Sequence, residues 1–144
     1  MSDERIPPTY LPGVVDRAKA REIHLAPNEK KENLVIKLGP RVGLRDVRVR
    51  VQWPDGRPSG STNVSADVNG RIAELAKTDA TGSLELQLLE GIEYSFSARA
   101  WTSYRILHGN QIGENWVDAE KRILAAGSGS ADILLVLDRP QPKR

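Results

Sequence analysis

Thr78-Asp79-Ala80-Thr81-Gly82-Ser83-Leu84-Glu85-Leu86-Gln87-Leu88-Leu89-Glu90-Gly91-Ile92-Glu93-Tyr94-Ser95-Phe96-Ser97-Ala98-Arg99-Ala100 is the stretch that decides the fold. A turn signal, Thr78 to Gly82, opens onto Leu84, Leu86 and Leu88 with Ser83, Glu85 and Gln87 between them. Gly91 then allows the chain to reverse, and Tyr94, Phe96, Ala98 and Ala100 alternate with Ser95, Ser97 and Arg99. Period-two spacing puts alternate side chains on one face of a strand, so each run reads as a strand with one buried and one solvated face. The pair is expected to be central to the sheet.

Working outward, Val47, Val49 and Val51 alternate with Arg48, Arg50 and Gln52, and Trp53-Pro54-Asp55-Gly56 stops that strand because proline pre-sets a turn. Val64, Ala66 and Val68 lead to Asn69-Gly70, a two-residue hairpin signal, with a return strand from Ile72 to Lys77. Residues 102–116 are irregular and polar, which predicts a long loop broken by one short strand at Tyr104 to Leu107. Val117 to Leu124 suits a strand or a short helix, and Ile133 to Leu137, all aliphatic, reads as a strand buried on both faces. On the N-terminal side, Ile23 with Leu25, and Leu34 with Ile36 and Leu38, continue the strand pattern up to Gly39-Pro40. Residues 14–20 suit one short helical turn.

The expected architecture is therefore all-β: an antiparallel, Ig-like sandwich of about seven to nine strands, with a small open barrel as the fallback, because no regular helices separate the strands as parallel crossovers require. Residues 1–20, with Pro7, Pro8 and Pro12, form an extended leading segment or linker; residues 21–138 form one sandwich domain; residues 139–144 are a flexible tail. A length of 144 residues fits a single core.

The 21 Lys and Arg against 19 Asp and Glu make only a mild basic surplus, which gives nucleic acid little support as a partner. No apolar run approaches the roughly 18 residues a membrane span needs, and MSDERIPP has no apolar signal-peptide core. The absence of cysteine removes disulfides, thiolate metal sites and thiol nucleophiles together.

The segment from Asp46 to Trp101, through VRVRVQW, PDGRP, TDATGSLELQLLEG and YSFSARA, resembles the carboxypeptidase regulatory-like, prealbumin-like β-sandwich family, CNA-B-type modules included. The resemblance rests on T-D-x-x-G, an alternating strand, a glycine and an aromatic-led strand. It implies a non-catalytic structural or binding module of a larger, exported bacterial protein, set beside neighbouring domains of the same chain or another protein. An extracytoplasmic home is implied by the resemblance alone. YLPGVVDRAKAREIHLAPNEKKENLVIKL is similar to the connection between consecutive modules of such proteins.

Chemistry is sparse. His24 and His108 stand outside any metal-ligand spacing, and no phosphate-cradling or nucleophile-elbow motif occurs, so no catalytic residue, metal site or cofactor is expected. Relatives of the fold that hydrolyse 5-hydroxyisourate end in Y-R-G-S, whereas this chain ends DRPQPKR. Arg45, Arg48 and Arg50 read as a basic stripe on one strand, which suits phosphates or an acidic partner but more often solubilises a sheet face or an edge. The candidate contact region gathers Arg99, Trp101, Tyr104, Arg105, His108 and Trp116, since flat rings beside hydrogen-bond donors suit sugars or protein hot spots. A carbohydrate-binding accessory role for this aromatic region is the alternative to the structural module.

Overall fold

Hydrophobic alternation builds two facing sheets in the computed structural model, which describes residues 5–142. Eight strands follow in order: β1 Leu44–Gln52, β2 Asn63–Val68, β3 Arg71–Lys77, β4 Ser83–Leu89, β5 Tyr94–Leu107, β6 Asn110–Asp118, β7 Arg122–Leu124 and β8 Ala131–Val136. One sheet is ordered β4-β1-β8; the other is ordered β3-β2-β5-β6, with β7 also pairing β5. All ladders are antiparallel except β1 with β8, which run parallel. The fold is an all-β sandwich.

Val47, Val49 and Val51 of β1 face Val64, Ala66, Phe96 and Ala98 across the core, and Leu135 closes it from β8. Burying each Val, Leu or Phe contributes about 1.5–3 kcal/mol relative to exposure. The turn at Thr78 to Gly82 is tightened by Asp79, whose Oδ1 accepts from the backbone N–H groups of Thr81 and Ser83 at 2.8 and 3.0 Å. Beside it, three buried hydroxyls are satisfied: those of Ser59 and Thr62 lie 2.6 Å apart, and that of Thr78 accepts from Thr62 N–H at 3.0 Å and donates to Ser59 O at 2.7 Å.

Five expectations are corrected. Residues 23–25 and 34–38 form no strand; Leu34, Val35, Ile36 and Leu38 are all at least half exposed. Alternation marks a segment able to form a strand, but a ladder also needs a partner edge, and here single backbone bonds tie the leading segment to itself, Arg21 N–H to Leu11 O and Lys37 N–H to Pro12 O, both at 2.9 Å. The sandwich strands thus start at Leu44. β4 and β5 do not lie side by side, because the reversal at Gly91 carries the chain between sheets: β5 is interior to its sheet and β4 is an edge. β8 is buried on one face only, since the other face of its sheet has no layer of the described residues packed over it, and Leu134 looks outward. The basic stripe is divided, because Arg45 shares parity with the core valines; buried, its Nε donates to Gly129 O at 2.8 Å, while Arg48 reaches Glu85 on the outer face at 3.0 Å.

Residues 102–116, the fifth departure, form a long hairpin rather than a loop. His108 and Gly109 both take positive φ, 50° and 79°, the geometry of a two-residue turn whose twist matches the strands. Residues 14–20 do hold a short turn, Arg17–Lys19, capped by the Asp16 carboxylate on Ala18 N–H at 2.9 Å. Of the leading segment and the tail, residues 1–4 and 143–144 lie outside the described residues.

Candidate functional site

The β5–β6 register creates the site. Beyond Ala100, β5 pairs with β6 alone, because β2 ends opposite Arg99. The two strands therefore continue past the sandwich as a ribbon about 20 Å long at roughly 3.4 Å per residue. Register shifts on either side of Ser103 twist this ribbon relative to the sheet below.

At the ribbon's base, Arg99 stands opposite Asp118 and Trp101 opposite Trp116 on the outer sheet face. Arg99 Nε and Nη2 donate to the two Asp118 carboxylate oxygens at 2.8 and 3.1 Å. This contact holds the guanidinium pKa above its ordinary value. The same guanidinium lies 4.6 Å from the Trp116 ring centroid, and the two indoles meet edge to face at 5.5 Å. Trp101 rests on Gly113, where any Cβ would collide with the ring. One face of Trp101 and one face of Trp116 are thus already occupied by the protein, and Trp116 remains 43% exposed.

The six residues singled out in the sequence separate along the ribbon. Arg99, Trp101 and Trp116 meet at its base. Tyr104 and Arg105 lie along its length, opposite Gly113 and Ile112, and His108 occupies the turn at its tip. Sequence reasoning missed Asp118, which clamps Arg99, and the apolar residues Ile106, Leu107 and Ile112, exposed on the ribbon with Tyr104. His24 sits far along the chain beside Glu22, its Nε2 3.6 Å from that carboxylate. Among the described residues no three His, Asp or Glu side chains converge in a metal-binding group.

Next to the Arg99–Asp118 pair, the outer face of the larger sheet holds an open groove of about 420 Å³. Its floor carries Ser65 and Ser97, whose hydroxyls are 2.6 Å apart, and its walls include Leu75, Arg99 and Lys121. Such an arrangement can bind by stacking and hydrogen bonding.

No protein-family model and no curated protein matches the chain. No helix among the described residues is long and apolar enough to cross a membrane. The fold and site together define an all-β sandwich with a projecting β-ribbon.

Proposed function

We propose that the chain is a non-catalytic interaction module of the carboxypeptidase regulatory-like kind, working within a larger, exported bacterial protein and making its contacts through the β5–β6 ribbon. One observation carries this reading: the ribbon leaves the sandwich with Tyr104, Ile106, Leu107, Ile112 and Trp116 each at least 40% exposed. Apolar and aromatic side chains grouped on a protruding element, away from any core, are what a partner surface covers. The test is a titration of the isotope-labelled chain with the domains that flank it in its gene product. Amide shifts concentrated in residues 101–116, and lost in Ile106→Asp, support the reading; shifts confined to other strands overturn it.

A carbohydrate-binding role is the second reading, favoured by the open face of Trp116 beside the hydroxyl-floored groove. A glycan array compares the chain with Trp116→Ala. Binding that disappears in the variant supports the sugar reading, and no binding, or binding unchanged by the substitution, removes it.

A further inference from the structure

Besides the edges of the sandwich sheets themselves, two surfaces of this molecule are unfinished β-structure. The first is the ribbon. Its outer edge, β6 from residue 110 to residue 116, has no ladder partner among the described residues, since β6 ends its sheet and pairs only with β5. A two-stranded ribbon is marginally stable in water and gains from a third strand. Exposed edges are normally guarded by proline, lysine or inward charges. The edge strand β3 carries Arg71, Glu74 and Lys77, whereas Asn110-Gln111-Ile112-Gly113-Glu114-Asn115-Trp116 has no proline, no lysine and no arginine.

The second surface is residues 34–38, Leu-Val-Ile-Lys-Leu, bounded by Asn33 at φ 59° and by Gly39-Pro40. It has the composition of a strand and belongs to none, with Leu34, Val35, Ile36 and Leu38 exposed at 50, 71, 51 and 57%. Lys37 N–H is taken by Pro12 O. In an extended chain Leu34, Ile36 and Leu38 point their N–H groups to the opposite edge, which is the side left for a ladder.

These surfaces lie apart within one molecule. The leading segment is anchored where β2 turns into β3: Arg17 Nη1 donates to Asn69 O at 3.2 Å, and Asn69 Nδ2 donates to Val15 O at 3.3 Å. That turn adjoins the start of β5, because Asp67 pairs with Ser95, and the ribbon tip lies at the far end of β5. The two unfinished surfaces occupy opposite poles of the sandwich. The only charge in residues 34–38 is Lys37, and the only charge on the free ribbon edge from 110 to 116 is Glu114.

We infer that residues 34–38 of one copy add as a strand to the free edge of β6 in a second copy, giving a head-to-tail assembly of this chain. The inference rests on the reading of the ribbon as the contact element and names its partner. Main-chain hydrogen bonds supply the association, and the apolar side chains of the added strand cover those of the ribbon. Because the donor and acceptor are different patches at opposite poles, the contact is heterologous and repeats from copy to copy.

Sedimentation analysis of the whole chain across a concentration series tests this, with two variants outside the core. Ile36→Pro removes a donor N–H, and Ile112→Lys guards the acceptor edge. The wild type is expected to grow beyond dimers with concentration, while each variant alone stays monomeric. An equimolar mixture of the two, which retains one intact donor and one intact acceptor, is expected to stop at the dimer. A wild type monomeric throughout, or a mixture that does not associate, overturns the strand addition and leaves the ribbon titration above to judge the contact element separately. Self-association that survives Ile36→Pro but not Ile112→Lys also overturns it, and it keeps the ribbon as the contact.

Discussion

Gly82 shows how one residue can be fixed by both conformation and space. Its φ is 73°, and a Cβ there would stand 2.7 Å from Val51 O and 2.9 Å from Pro58. Gly56 has a similar φ of 88° with nothing within 4 Å. Both substitutions to alanine strain the backbone, but only Gly82→Ala also drives a methyl into main chain. Gly82→Ala is therefore expected to cost more than about 1 kcal/mol beyond Gly56→Ala, read as a lower midpoint in urea unfolding. The neighbouring Asp79 makes a pH prediction. Hydrogen bonds, the Thr81 hydroxyl first and the Ser83 N–H next, hold its carboxyl below the ordinary value of 3.8. A group depressed on folding stabilises the protein above its unfolded pKa, and that stabilisation fades as pH falls through the folded value. Asp79→Asn is accordingly expected to unfold earlier than wild type at neutral pH, with the two urea midpoints converging as the solution is acidified below the usual carboxylate range.

At the scale of the element, the ribbon is set by its turn. His108-Gly109 places Leu107 opposite Asn110, and the same count places Trp101 opposite Trp116 and Arg99 opposite Asp118. Asparagine adopts positive φ more readily than histidine. His108→Asn is expected to raise the protection of ribbon amides in hydrogen exchange while leaving β1 unchanged. The pairing was legible in principle, but a His-Gly dipeptide is a weaker hairpin signal than the Asn-Gly at 69–70, so residues 102–116 look like a loop to a reading based on turn composition. The strands of the core were legible for a different reason: Val47, Val49 and Val51, or Tyr94, Phe96 and Ala98, keep strict alternation because one face meets the opposing sheet. Leu34 to Leu38 shows the limit of that signal. The same pattern there finds no edge inside the molecule, and alternation carries no information about which partner, or whose, a strand will use. Nor can it reveal that β4 and β5 part company at Gly91, since sheet membership is a property of the reversal rather than of either strand.

For the whole molecule, stability should be concentrated where the two sheets face each other and should fall away toward both poles. Phe96 is fully buried between them, and Phe96→Ala is expected to cost about 3–5 kcal/mol, a large share of a domain's total stability. The leading segment and the ribbon contribute little to that core and lie at opposite ends. Native-state hydrogen exchange on the dilute monomer tests this partition most directly. Amides paired within β1, β2 and the first half of β5 are expected to exchange only through global unfolding, while those of Leu34, Val35, Ile36 and Leu38, which make no backbone hydrogen bond among the described residues, exchange as fast as an unstructured chain and Lys37, bonded to Pro12 O, only somewhat slower. Protection of residues 34–38 equal to that of β1 in the monomer, or rapid exchange throughout β1 and β2, would contradict it.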